Sequence, residues 1–83
     1  MSTDFEVGDV ILQERPIAGI PYETGLWVVC DLSEARAWIS LCGGMVDGKL
    51  AGIANWYEIS REDLCAFSAT PEKALIRGSR DDV

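Results

Sequence analysis

The chain has no histidine, and its three cysteines, Cys30, Cys42 and Cys65, are widely spaced with no C-x-x-C pair. Without an imidazole, neither a Ser/His/Asp nor a Cys/His catalytic arrangement can form. A tetrahedral zinc site would need a carboxylate as its fourth ligand, which structural sites seldom use. The cysteines are therefore expected to be reduced thiols packed as small apolar groups, with no metal and no internal disulfide. Glu62 and Asp63 are adjacent carboxylates, but sequence neighbours do not face one site on a helix. Gly43-Gly44 and Gly48-Lys49 lack the spacing and the following Ser or Thr of a phosphate-binding loop. Neither enzyme activity nor a cofactor is expected. No apolar run approaches the ~20 residues of a membrane span. The start, Met1-Ser2-Thr3-Asp4-Phe5-Glu6, carries no apolar signal segment, so a cytoplasmic location and no membrane partner are expected.

Basic residues are scarce. Seven Lys and Arg stand against 14 Asp and Glu, for a net charge of −7 over 83 residues. Phosphate backbones are bound by Lys and Arg, so this balance speaks against direct nucleic-acid binding. The bland account of the acidity is solubility; the sharper one is a protein partner with a basic surface, steered in by opposite charge. An apolar fraction of 48% is ordinary for a folded domain. The length suits a single small domain, residues 1–83, with a frayed N-terminus over 1–4.

The most informative segment is a pair of strand-like runs, Leu26-Trp27-Val28-Val29-Cys30-Asp31 and Arg36-Ala37-Trp38-Ile39-Ser40-Leu41, on either side of a short polar break. A hairpin centred on Ser33 and Glu34 would pair Asp31 with Arg36, Val29 with Trp38, and Trp27 with Ser40. All three pairs then share one face. The other face would carry Leu26, Val28, Cys30, Ala37, Ile39 and Leu41, an apolar core face. Trp27 and Trp38 beside an Asp31–Arg36 pair form the expected docking surface, because indoles with a polar edge favour interfaces. Tyr57 is a further candidate. Burial of the two indoles under a loop or the C-terminal segment is the rival reading.

Elsewhere, Phe5 to Glu14 reads as a first strand with a bend at Gly8-Asp9. Arg15 to Gly25, punctuated by Pro16, Gly19 and Pro21, reads as a loop. A turn region spans residues 42–49. Leu50 to Ile59 reads as a fourth strand, Ser60 to Asp63 as a capped helical turn, and Leu64 to Phe67 as a last short strand. Thr70 as N-cap, Pro71 at the first helical position and Gly78 as terminator predict a short helix over 70–78, followed by a polar tail over 79–83.

The order Val7-Gly8-Asp9-Val10, long loop, Gly25-Leu26-Trp27-Val28-Val29, third strand, Trp56-Tyr57-Glu58-Ile59, helical turn and closing strand resembles the layout of small SH3-like or Tudor-like barrels. The resemblance covers about residues 5–68. It implies a mainly β fold, a five-stranded barrel or curled antiparallel sheet with a short C-terminal helix. It also implies binding of peptides, modified side chains or nucleic acid rather than catalysis. The expected function is thus a small acidic protein-interaction module, docking a basic partner or a second copy of itself. Phages and mobile elements encode free-standing acidic domains of this kind to block host factors. The alternative is an accessory nucleic-acid-associated barrel.

Overall fold

The computed structural model describes residues 5–79. The expected N-terminal fraying and all of the expected tail except Ser79 lie outside the described residues. The fold is mainly β, with strands β1 (Asp9–Gln13), β2 (Gly25–Leu32), β3 (Arg36–Val46), β4 (Lys49–Gly52), β5 (Tyr57–Ser60) and β6 (Phe67–Leu75). A 3-10 helix, Arg61–Ala66, precedes β6.

All six strands join one sheet in the order β2-β1-β6-β4-β3-β5, and β2 also pairs with β3, so the pairings return on themselves. The sheet is mixed, because β4 and β6 run parallel while every other pair is antiparallel. The expectation was five antiparallel strands. The sixth arises because the run predicted over 50–59 breaks at residues 53–56, leaving two short strands that both pair with β3.

The helix expected over 70–78 is absent; β6 occupies residues 67–75. Its capping signals were local, and the hydroxyl of Thr70 instead donates to the carbonyl of Val10 at 2.6 Å. A two-turn helix with Leu75 and Ile76 as its large apolar anchors had little to bury. As a strand, the same segment pairs with β1 and β4. Pro71, which has no N–H for a ladder, falls where the β1–β6 register shifts between Asp9 and Ile11. The strand expected over Leu64 to Phe67 is likewise corrected, since the 3-10 helix runs through Ala66. Its start matches expectation: Ser60 caps it, accepting from the Glu62 N–H at 3.3 Å.

The β2–β3 hairpin forms, in a different register. Its corner residues are Glu34 and Ala35, because Ser33 N–H donates to the Arg36 carbonyl at 2.9 Å and Ser33 Oγ accepts from Arg36 N–H at 3.1 Å. The partners are Trp27 with Leu41, Val28 with Ser40 and Val29 with Ile39; after an irregularity at Cys30, Asp31 pairs with Trp38 and Leu32 with Ala37. A moved corner plus one extra residue on β2 changes which side chains share a face. Val28 and Ile39 are both fully buried, as expected, but point to opposite sides.

The main core gathers Ile11, Trp27, Val29, Ile39, Ile59 and Phe67 from the strands with Ile17, Ile20 and Leu64 from the loop and the 3-10 helix. On the other face Val10, Val28, Cys30 and Ser40 are buried. Gly52 is required there, because a Cβ at that position would sit 2.3 Å from Ser40 Oγ and 3.4 Å from Val28.

Candidate functional site

The shifted register divides the four residues, Trp27, Asp31, Arg36 and Trp38, that the sequence had placed on one face of the hairpin. Trp38, Asp31 and Arg36 remain on one face. Trp38 lies opposite Asp31 of β2 on one side and opposite Glu58 of β5 on the other. Directly opposed residues share a face, so Asp31, Trp38 and Glu58 form a row across three strands. Arg36, two residues before Trp38, lies on the same face. The expected Asp31–Arg36 cross-strand pairing is corrected: Arg36 is opposite Ser60, and its Nε lies 3.3 Å from Glu58 Oε2. Both partners of this ion pair are about half exposed, so it contributes little to stability. Asp31 Oδ1 accepts from the Leu32 N–H at 2.9 Å. Trp38 itself is half-buried.

Trp27 and Tyr57 lie on the core side. The expectation that Trp27 is accessible is overturned, since its exposure is 0%. Tyr22 meets its ring edge-on at 5.8 Å, and Tyr57 does so at 5.6 Å and 86°. Its indole N–H donates to Gln13 Oε1 at 2.9 Å. Gln13, also buried, donates through Nε2 to the carbonyls of Arg15 and Tyr22, each at 2.9 Å. One glutamine thus ties the residue 14–24 loop to the central indole. Tyr57 stays half-buried at the border of this cluster.

Two residues were missed from sequence. Glu58 completes the Trp38 row, and its signal was the alternation Tyr57-Glu58-Ile59, which turns one polar side chain away from two apolar ones. Gln13 closes the first strand, and nothing in the sequence separates it from an ordinary solvent-facing glutamine.

The cysteines are free thiols: Cys30 is buried, Cys42 half-buried and Cys65 exposed. Burial pushes the Cys30 thiol up; the Ser40 hydrogen bond pulls it partly back, and the Asp31 charge adds to the rise. Its sulfur lies 3.2 Å from Ser40 Oγ. The neutral thiol is the form that the fold favours. This contribution is fully present below the ordinary thiol value and is lost as pH rises through the elevated one. A charged thiol reagent at neutral pH should therefore label Cys65 first and Cys30 only when the chain unfolds. Mass spectrometry of a labelling time course reads this order, and early labelling of Cys30 would contradict its burial. Arg15 Nη2 points at Cys65 Sγ from 3.5 Å at the rim of a shallow groove of about 320 Å³.

Among the described residues, no three or more potential metal ligands come together. No helix among them is long and apolar enough to cross a membrane. Comparisons with protein-family models, with curated proteins and with solved structures return no match.

Proposed function

We propose that this chain is a small acidic, non-catalytic interaction module, built as an SH3-like barrel, which docks a protein with a basic surface through the Trp38 face. The observation that carries the reading is the Asp31–Trp38–Glu58 row. A large indole is held on the outer face of three paired strands between two carboxylates, while the equivalent ring on the inner face, Trp27, is consumed by the core. An indole beside carboxylates suits a lysine or arginine side chain, which stacks on the ring and is neutralised at its edge. The barrel reading is supported by the returning strand pairings, the long loop between β1 and β2, and the 3-10 helix before the last strand. Inhibition of a host protein by a mobile element is one setting that such a module fits.

The test is Trp38→Ala, followed by a thermal melt and by titration with a basic protein recovered by affinity capture from the native host. Loss of more than about 1 kcal/mol of binding in a chain that still melts as a folded domain is the expected result. Unfolding without a separate binding defect would make Trp38 a packing residue and remove the surface. Binding to nucleic acid with a steep salt dependence would replace the reading with the accessory-barrel alternative.

A further inference from the structure

β5 differs from the other strands of the described chain in having a single partner strand. β1, β2, β4 and β6 each pair with two strands and β3 with three, whereas Tyr57–Ser60 pairs with β3 alone. The direction of its backbone groups follows from one hydrogen bond. Arg61 N–H donates to the Ala35 carbonyl at 2.9 Å, immediately beyond the Arg36–Ser60 pair. Opposed residues in an antiparallel ladder alternate between exchanging hydrogen bonds and pointing their N–H and C=O away from each other. Residues 57, 59 and 61 therefore bond toward β3. Glu58 turns both its N–H and its C=O to the free edge, and Ser60 turns its N–H the same way. The residue whose backbone is offered outward is thus the one whose carboxylate ends the Trp38 row.

We propose that the partner binds by strand addition: an extended basic segment of another protein pairs with the β5 edge through Glu58, continuing the Asp31–Trp38–Glu58 row with a lysine or arginine. This deepens the proposed docking function and rests on it. The charge around the edge selects the occupant. Glu58, Glu62 and Asp63 lie in β5 and the 3-10 helix that follows it, against Arg61 in that helix and Arg36 of β3, on a chain that carries −7 overall. Arg61 is turned to the Ser33 carbonyl, and the Arg36–Glu58 ion pair is about half exposed on both sides, so it is readily exchanged for a partner's cation. A segment paired with Glu58 alternates its side chains, so a basic residue falls beside Glu58 and its neighbours fall on the side of Tyr57 and Ile59, where apolar groups fit. A second copy of this chain fits poorly. Each copy carries −7, and pairing two β5 edges through Glu58 brings like carboxylates directly or diagonally opposite.

The probe is the peptide acetyl-Lys-Val-Lys-Val-Lys-amide, added to the full chain while amide exchange and the Trp38 indole resonance are followed by NMR. The expected result is about tenfold slower exchange at the Glu58 amide together with a shifted Trp38 indole signal. Methylating the backbone nitrogen of the central lysine, replacing the lysines by glutamates, or changing Glu58→Lys should each weaken binding by about tenfold or more. If the lysine peptide shifts Trp38 but leaves Glu58 exchange unchanged, or if the methylated peptide binds equally well, strand addition is overturned and cationic docking on Trp38 stands. If the peptide affects neither signal, both readings fall. Protection of Glu58 in the free chain that grows with protein concentration would make the occupant a second copy and overturn the proposal.

Discussion

Replacing Trp27 by alanine should lower the unfolding free energy by about 3–5 kcal/mol, the usual cost of truncating a buried large aromatic. An 83-residue domain has roughly 4–12 kcal/mol in total, so the loss removes a quarter or more of its stability. Three losses combine at this position. The cavity left by the indole lies among Ile11, Val29 and Ile39, where little can collapse into it. Two edge-on ring contacts, to Tyr22 and Tyr57, disappear. Gln13 Oε1 loses its donor. Trp27→Phe keeps most of the volume and should fall between the two. Chemical denaturation of the three proteins, followed by far-ultraviolet circular dichroism, gives the order. An alanine variant as stable as the parent would mean that Trp27 is not a core residue. The contrast with Trp38→Ala, whose half-buried ring should cost clearly less, separates the two tryptophans that the sequence had placed on one face.

That separation marks where the sequence was legible and where it was not. The two strands of the tryptophan hairpin, the long Pro- and Gly-containing loop and the Ser60 cap all came from local chemistry and lie close to where they were read. The turn region read over 42–49 instead shrinks to residues 47–48, because β3 runs on to Val46 and β4 starts at Lys49. The face assignment depended on the hairpin register, which a one-residue change reverses. Ser33 could have been a corner residue or the last paired residue, and only its hydroxyl bonding back to the Arg36 N–H decides for the second. The irregularity at Cys30 carries no local signal at all. Residues 70–78 failed for the opposite reason: Thr70, Pro71 and Gly78 make a persuasive helix in isolation, but the unfilled edges of β1 and β4 offered more hydrogen bonds and more contact than two helical turns could. Of the site, Trp38, Asp31 and Arg36 were legible as a group; Glu58 was not, because its place beside Trp38 depends on β5 pairing with the same strand as β4.

Gln13→Leu should cost about 2–3 kcal/mol although leucine is apolar and similar in size. The position is buried, so a hydrophobic replacement looks harmless by area alone. The loss comes from what the amide was holding. The carbonyls of Arg15 and Tyr22 belong to exposed residues and can turn to water. The indole N–H of Trp27 is sealed inside and cannot, and an orphaned buried donor costs about 1–3 kcal/mol. Releasing the 14–24 loop adds to this, because Gln13 is what links that loop to the central ring. A double-mutant cycle isolates the buried part. Trp27→Phe removes the donor, so Gln13→Leu made on top of that substitution leaves no indole N–H unpaired. The two substitutions should therefore be less than additive by about 1–2 kcal/mol, the share that belongs to the single hydrogen bond between Gln13 Oε1 and the indole. Strict additivity in the measured unfolding free energies would show that the glutamine acts through the loop carbonyls alone. A cycle as expected would place the link between loop and core in that one contact. The loop would then be loosened by Gln13→Leu while the Trp38 face, built on β2, β3 and β5, keeps its shape.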